Sequence, residues 1–284
     1  MSRINKWLIL FSCIGVLNIV ICIVFFSLRG GTLLETGIVK SEILEQTMEF
    51  SVYLPPDYFS SDDHYPVLYL LHGSTGDHTT YPRIIGVKKI ADKAIRSGNA
   101  VPMIIVMPKS RGGMYNNAPS GKYSYEDYFF KELIPLIEKN YHVLKNKEGR
   151  AIAGHSLGGN GAIRYALTHP AVFTSCSIVG AAIDMQELDG GTPHFGEMES
   201  IPDLLRRTAD ELQTALPEDQ PSLVVRFYID CGKEDGLLRV NEQLHVHMNE
   251  LDIPHEFYQR DGGHTWDYWR LALPFVLENS FRHM

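Results

Sequence analysis

Continuous apolar runs alternate with helix-length segments through most of this sequence. Residues 66–71 and 103–107 are apolar throughout, which is the pattern of parallel strands that are covered on both faces. A helical stretch at residues 87–97 lies between them. Because a strand, a helix and a second parallel strand form one crossover unit, the repeated alternation predicts an α/β domain with a mostly parallel sheet and helices on both of its faces.

The same alternation continues to the end of the chain. Further helices are predicted at residues 125–141, 159–168, 238–251 and 266–281, and further strands at residues 150–154, 173–179, 222–230 and 255–258. Ahead of the parallel part, residues 43–54 partly alternate between apolar and polar, which predicts antiparallel strands. Residues 181–221 are polar and rich in turn residues apart from a helix at 202–216, so we expect an insertion that caps a functional site.

The N-terminal segment carries a separate signal. Residues 7–28 contain no charged side chain, and a helix of that length spans ~33 Å, which is enough to cross a bilayer. Arg3 and Lys6 precede the apolar stretch and only Arg29 directly follows it. This asymmetry predicts a cytoplasmic N terminus and an extracytoplasmic domain.

We therefore predict a transmembrane anchor at residues 1–31 and a folded domain at residues 32–284, with residues 30–36 as a short tether. A cleaved export signal, which would give a secreted protein, is the alternative. Residues 25–29 offer no small-residue cleavage site, so the anchor is favoured.

Composition excludes several classes of protein. A hydrophobic content of 44% over 284 residues is that of a packed globular domain, and a net charge of −8 argues against a nucleic-acid partner because an acidic surface repels phosphates. Cys176 and Cys231 lie in strand-like runs and are too few for a disulfide framework. His245 and His247 stand two apart on a predicted helix, so they do not face each other. We predict no metal and no cofactor.

The most specific motif is Gly-His-Ser-Leu-Gly at residues 154–158, directly after a predicted strand and just before a predicted helix. This is the pattern of the nucleophile elbow of α/β-hydrolases, in which a tight turn exposes a serine at the start of a helix. Glycines at both ends let strand and helix pass closely, and the helix dipole favours a developing negative charge. Ser156 is therefore the predicted nucleophile.

A serine nucleophile of this fold is followed along the chain by an acid and then by a histidine. His264 lies in the glycine-rich run Asp-Gly-Gly-His between the last predicted strand and helix, and it is the predicted general base. Asp235, in the loop after the next-to-last strand, is the predicted acid, with Glu234 and Asp230 as its nearest competitors. The histidines that compete with His264 fall within a helix, at the start of a strand or at the terminus: His245, His247, His255 and His283.

Two backbone amides are expected to stabilise the tetrahedral intermediate of such a reaction. Leu157, directly after the nucleophile, supplies one, and Ser74, in the His-Gly turn after the first apolar strand, supplies the other. His72 of the same turn is expected to hold the loop in place.

Aromatic side chains after the strands and beside the base predict a cleft for a phenolic or sugar ring. Tyr81, Tyr115 and Trp266 are the predicted substrate-binding side chains. Trp269, three residues after Trp266, could line the same cleft, and core packing is its alternative role.

Together these motifs resemble the putative esterase family of α/β-hydrolases, which includes feruloyl esterases, acetylxylan esterases, S-formylglutathione hydrolase and the mycolyltransferases of the antigen 85 type. The likeness rests on Tyr-Leu-Pro-Pro-Asp-Tyr at 53–58, Leu-Leu-His-Gly at 70–73, the helix at 125–135, Gly-His-Ser-Leu-Gly-Gly at 154–159, and the segments 231–235 and 262–269. The resemblance implies an α/β-hydrolase fold, a triad of Ser156, His264 and Asp235, and activity on esters without a cofactor.

The predicted function is that of a serine carboxylic ester hydrolase that forms an acyl-enzyme on small-molecule or glycan esters, with acylated carbohydrates and phenolic esters as the expected substrates. An acyltransferase would use the same acyl-enzyme, so the triad does not separate the two. A thioesterase similar to S-formylglutathione hydrolase is a further alternative, which the predicted extracytoplasmic location argues against. The sequence carries no signal for the oligomeric state.

Overall fold

The computed structural model describes residues 30–118, 120–183, 199–216 and 223–284. These residues form an eight-stranded sheet with the spatial order β1-β2-β4-β3-β5-β6-β7-β8. The strands are β1 (Thr32–Ser41), β2 (Gln46–Leu54), β3 (Val67–Leu71), β4 (Ile104–Pro108), β5 (Arg150–His155), β6 (Ser175–Val179), β7 (Arg226–Gly232) and β8 (His255–Arg260).

The sheet is antiparallel at one edge and parallel elsewhere. β2 pairs with β1 and with β4 in antiparallel fashion, whereas the neighbours from β4 through β3 to β8 are all parallel. The carboxyl ends of the parallel strands therefore lie together, at the edge where open α/β sheets bind ligands. The mostly parallel sheet that the sequence predicts is present.

Helices cover both faces of the sheet. The α-helices are α1 (Val87–Arg96), α2 (Tyr125–Tyr128), α3 (Ile134–Asn140), α4 (Leu157–Thr168), α5 (Ile201–Thr214), α6 (Leu238–Glu250) and α7 (Trp266–Ser280). A π-helical turn at Phe129–Leu133 joins α2 to α3, and another at Thr80–Ile85 precedes α1. α1 and α7 pack on one face of the sheet, and α2 to α6 pack on the other.

The central strands are buried on both faces. Ile104, Ile105 and Val106 of β4 are each 0% exposed, and burying one such side chain contributes about 1.5–3 kcal/mol. Cys176 in β6 and Cys231 in β7 are buried free thiols. Helices on both sides of these strands explain why the sequence shows continuous apolar runs rather than alternation.

The prediction of a tether at residues 30–36 is wrong from residue 32 onward. β1 begins at Thr32 and pairs with β2, and the N–H of Gly31 donates to the Asp92 carboxylate at 2.7 Å. β1 is an edge strand with one exposed face, and its register shifts between Leu34 and Gly37. The exposed face carries the apolar Leu34 and Ile38, so apolar and polar residues do not alternate along the sequence as they would in a strand with a polar outer face.

The prediction of a transmembrane helix ahead of the domain needs correction. Within the ranges that the structure describes, no helix combines the length and apolar character needed to cross a bilayer. The predicted membrane-anchored location is corrected with it, because that location rested on the same helix. The prediction was made from the absence of charge at residues 7–28, and these residues lie outside the described ones.

The predicted insertion at residues 181–221 is partly described. Its helix is α5, which begins one residue before the predicted 202–216. The side chain of Ser200 caps α5 by accepting a hydrogen bond from the N–H of Asp203. Residues 184–198 and 217–222 lie outside the described part of the chain, so a cap over the functional site stays a prediction.

Candidate active site

Ser156 stands on a sharp turn between β5 and α4. Its backbone has φ 55° and ψ −125°, a conformation that a residue other than glycine keeps only where the surrounding structure enforces it. A β-carbon on Gly154 would lie 2.2 Å from the carbonyl oxygen of Gly158, and one on Gly158 would lie 2.3 Å from that of Leu71. Glycine at both positions therefore permits the close passage of strand and helix that the elbow motif predicts.

The Ser156 hydroxyl contacts the imidazole of His264. His264 Nε2 lies 3.0 Å from Ser156 Oγ, and His264 Nδ1 lies 2.8 Å from Asp235 Oδ2. An imidazole protonated at Nδ1 donates to the carboxylate and leaves Nε2 free to accept the serine proton. The Asp235 side chain is 0% exposed and that of His264 is 33% exposed, so the pair has one buried end and one end that faces solvent.

Backbone contacts fix the loop that carries His264. Glu234 Oε2 accepts the N–H of Gly262 at 2.5 Å, and the Gly262 carbonyl accepts the N–H of Glu234 at 3.0 Å. A β-carbon on Gly232 would lie 2.0 Å from the Gly262 oxygen, so the loop passes close to the end of β7. Glu234, one competitor for the role of the acid, is thus bonded to the loop backbone rather than to the imidazole.

Asp230, the other competitor, belongs to a separate buried ion pair. Its carboxylate is 0% exposed, accepts hydrogen bonds from the hydroxyls of Tyr228 at 2.8 Å and Tyr268 at 2.5 Å, and pairs with Arg260. A permanent cation already balances this charge. Of the three carboxylates in and directly after β7, the one that contacts the His264 imidazole is that of Asp235.

The two predicted amide donors flank one glycine. Gly113 has φ 78°, and a β-carbon there would lie 2.9 Å from Leu157 Cβ and 3.2 Å from the backbone nitrogen of Ser74. Among the residues that the structure describes, neither the Ser74 N–H nor the Leu157 N–H has a hydrogen-bond acceptor. Two free N–H groups beside a nucleophile are the arrangement that stabilises an oxyanion. The sequence reasoning missed Gly113, although the Gly-Gly pair after β4 was an available signal.

Two further imidazoles lie behind the loop that carries Ser74. His72 and His155 are each 1% exposed. Burial lowers the pKa of both, to about 3 for His155, so these rings are neutral near neutral pH. The sequence analysis assigned no role to His155, and the only available signal was its place next to the predicted nucleophile.

The two tyrosines predicted to bind substrate are buried. Tyr81 is 4% exposed and its hydroxyl lies 2.8 Å from His155 Nδ1, while Tyr115 is 1% exposed and donates to the His72 carbonyl at 2.8 Å. These contacts favour a supporting role for both rings beneath the active-site loops.

Two tryptophans lie beside the base. Trp269 is 8% exposed and meets the His264 ring edge to face, with 5.0 Å between ring centroids. Trp266 is half-buried and packs edge to face on Trp269 at 4.7 Å. Trp269 is therefore mainly a core residue, whereas Trp266, two residues after His264 in the chain, stays partly exposed.

Two of the competing histidines contact each other. His245 Nδ1 lies 2.7 Å from His255 Nε2, where α6 packs on β8. In the described ranges, no group of three or more histidine, cysteine, aspartate or glutamate side chains could hold a metal ion.

Comparison with known sequences places the chain in a family. The sequence model of the putative esterase family matches residues 41–278. An esterase of Mycobacterium tuberculosis is 29% identical over 258 residues, which cover 80% of this chain and 55% of that relative. The chain thus spans about half the length of this curated relative.

Solved structures agree with that assignment. A ferulic acid esterase is 30% identical with a TM-score of 0.77, and the alignment covers 89% of this chain and 98% of that one. An S-formylglutathione hydrolase from Staphylococcus aureus is 25% identical with a TM-score of 0.69, covering 88% of this chain and 96% of that one. The resemblance seen in the sequence motifs is confirmed: the chain belongs to the putative esterase family and carries a serine esterase domain.

Proposed function

We propose that this domain hydrolyses carboxylic esters through an acyl-enzyme formed on Ser156. The observation that carries the proposal is the unbroken line of contacts from Ser156 Oγ through the His264 imidazole to the Asp235 carboxylate. A serine hydroxyl is a weak nucleophile unless a base takes its proton, and His264 Nε2 lies within reach to do so.

In the proposed reaction, His264 Nε2 takes the hydroxyl proton while Ser156 Oγ attacks the ester carbonyl. The N–H groups of Ser74 and Leu157 donate to the oxyanion, and Asp235 stabilises the imidazolium. His264 then gives the proton to the leaving alkoxide, which departs as the alcohol. Water attacks the acyl-enzyme by the same proton transfers and releases the acid.

Acylated carbohydrates or phenolic esters are the proposed substrate class. Support comes from the similarity to a ferulic acid esterase over 89% of this chain. The half-buried Trp266 beside the base offers an aromatic surface on which a phenolic or sugar ring could stack.

A thioesterase that acts on S-formylglutathione is the second candidate. The similarity to the Staphylococcus aureus S-formylglutathione hydrolase, over 88% of this chain, favours it. The same serine and base would attack a thioester carbonyl. The argument from an extracytoplasmic location no longer weighs against this candidate, because that location has been corrected.

Initial rates on p-nitrophenyl acetate, methyl ferulate, acetylated xylan and S-formylglutathione test the proposal, together with labelling by a fluorophosphonate probe. We expect the wild type to hydrolyse oxygen esters and to label at Ser156, and Ser156→Ala to lose both activities. Ser60→Ala, at an exposed serine in the turn after β2, is the matched control and should keep both.

The outcomes separate the candidates. A wild-type protein that neither labels nor hydrolyses any ester contradicts the proposal. Preference for S-formylglutathione over every oxygen ester supports the second candidate. With an alcohol acceptor added, formation of a new ester faster than free acid would identify an acyltransferase instead.

A further inference from the structure

Gly73, the residue before the proposed oxyanion donor Ser74, is held between two imidazoles. His72 Nδ1 lies 2.7 Å from the Gly73 carbonyl oxygen, and the Gly73 N–H donates to His155 Nε2 at 3.2 Å. His155 is 82 residues away along the chain and immediately precedes Ser156. The loop after β3 is therefore tied at Gly73 to the end of β5.

The hydrogen-bond partners assign the proton of each ring. His155 Nε2 accepts the Gly73 N–H, so a neutral ring carries its proton on Nδ1 and donates it to the Tyr81 hydroxyl oxygen at 2.8 Å. The Tyr81 hydroxyl can then donate to the Leu71 carbonyl at 3.3 Å. Each donor in this chain has an acceptor, and none of the groups needs a charge.

The second ring follows the same logic. His72 Nε2 accepts the N–H of Ser110 at 3.0 Å, so its proton lies on Nδ1 and is donated to the Gly73 carbonyl. That carbonyl belongs to the peptide unit that carries the Ser74 N–H. The unit is planar and trans, so its C=O and N–H point in opposite directions, and a fixed carbonyl fixes the direction of the N–H.

Position and packing connect this arrangement to the nucleophile. A β-carbon on Gly73 would lie 3.0 Å from His155 Nε2 and 3.2 Å from Ser156 Cβ, so Gly73 lies against both residues. The His155 ring is 1% exposed and lies 3.9 Å from the Trp269 ring, centroid to centroid. Packing on Trp269 therefore restrains the ring that holds Gly73.

We propose that His155 is a positioning residue of the oxyanion hole, which acts by accepting the Gly73 N–H and so holds the Ser74 amide beside Ser156. It works with His72, which orients the following peptide unit from its other side. The inference rests on the proposed function, since it assigns a role within that reaction. His155 itself does not touch the substrate.

Three variants test the role. His155→Leu removes the acceptor, His155→Gln keeps an oxygen acceptor close to the position of Nε2, and Tyr81→Phe removes the partner of Nδ1 while leaving the imidazole. We expect His155→Leu to lower kcat for a p-nitrophenyl ester ~10²-fold with little change in KM, because it loosens one oxyanion donor. His155→Gln should restore most of kcat, and Tyr81→Phe should lower kcat less than His155→Leu does.

A second readout distinguishes positioning from general structural damage. Affinity for a trifluoromethyl ketone, whose serine adduct places an oxyanion at the donor pair, should fall in parallel with kcat, while circular dichroism and the pH profile of kcat stay unchanged. Full kcat in His155→Leu, or equal loss in the Leu and Gln variants, would overturn the proposal.

Failure of the proposed function is separately visible. It would appear as a wild type without ester turnover or fluorophosphonate labelling. In that case the ring ¹⁵N chemical shifts of His155 still test the hydrogen-bond arrangement. A ring protonated at Nε2 could not accept the Gly73 N–H there and would overturn the arrangement. A ring protonated at Nδ1 supports it.

Discussion

The histidines around Ser156 have the same kind of side chain but lie in different surroundings. On one side, the His264 side chain is 33% exposed and contacts the Asp235 carboxylate. On the other side, His72 and His155 are each 1% exposed and contact backbone groups and a tyrosine hydroxyl. Both sets of rings make hydrogen bonds through both nitrogens, so the number of bonds does not distinguish them.

The two environments differ in whether the ring stays neutral or can take up a second proton. Burial lowers the pKa of His72 and His155, so each ring keeps one proton in one place and acts as a rigid donor and acceptor. A ring that reaches solvent and faces a carboxylate can become charged, as a general base must. Burial and hydrogen-bond partners, more than residue type, separate a proton carrier from a fixed support.

Removal of the proposed base should have the largest effect. His264→Ala should lower kcat on p-nitrophenyl acetate on the order of 10⁴-fold or more, since a cooperating triad loses its base. His245→Ala, at a histidine whose partner is His255, is the matched control and should keep wild-type kcat. Near-full turnover in His264→Ala would show that another group is the base.

Two buried aspartates, Asp230 within β7 and Asp235 after it, give the next largest contrast. Asp235→Asn should lower kcat ~10⁴-fold with little loss of stability, because an amide no longer holds the imidazole in the required tautomer. Asp230→Asn should instead lower the free energy of unfolding by about 1–3 kcal/mol, because it removes the charge that pairs with the part-buried Arg260, while kcat of the folded protein stays close to wild type.

Measurement of kcat and of the free energy of unfolding in urea for both variants tests this contrast. Equal loss of kcat in both would mean that Asp230 and Asp235 belong to one functional unit, contrary to their separate contacts.

A smaller loss of kcat is expected from a substitution beside the proposed oxyanion donors. Gly112 and Gly113 both have positive φ, so alanine at either costs about 1 kcal/mol of backbone strain. A β-carbon on Gly113 would press on Leu157 and Ser74, whereas one on Gly112 meets nothing within 4 Å. We expect Gly113→Ala to lower kcat ~10²-fold and Gly112→Ala to leave it near wild type. Matched kcat values for the two, measured with their melting temperatures, would argue against a donor pair beside Gly113.

The last prediction concerns how the free energy of unfolding depends on pH through His155. Burial, with smaller contributions from His72 and His264, lowers the folded-state pKa of His155 from 6.5 to about 3. Protonation therefore favours the unfolded chain, so the stability that this neutral ring contributes is complete above pH ~6.5 and is lost as the pH falls toward 3.

Urea unfolding at pH 7 and pH 4 measures this loss. The wild type should lose on the order of 3 kcal/mol more than His155→Gln does, since glutamine does not titrate. Parallel losses in the two proteins would show that the folded protein admits a charged ring at position 155.

The sequence predicted most of the fold because its strongest signals are local. The apolar runs at residues 66–71 and 103–107 correspond to β3 and β4 within one residue at each end, since strands covered on both faces leave a continuous apolar pattern. β1 was missed because Leu34 and Ile38 stand on its exposed face, which weakens the alternation of apolar and polar residues. The apolar segment at 7–28 shows the limit of such signals, because low charge alone does not establish a membrane helix.

For the active site, the order of residues along the chain shows which groups are available: a glycine-flanked serine after a strand, carboxylates at and beyond the end of a later strand, and a histidine in a glycine-rich loop. Only the tertiary structure decided that Asp235, and not Glu234 or Asp230, faces the imidazole, because neighbouring carboxylates point in different directions once the backbone turns. The contact of Gly73 with His155 likewise depends on two parallel strands lying side by side. A motif is set by adjacency along the chain, whereas the direction of a hydrogen bond is set by how distant segments pack.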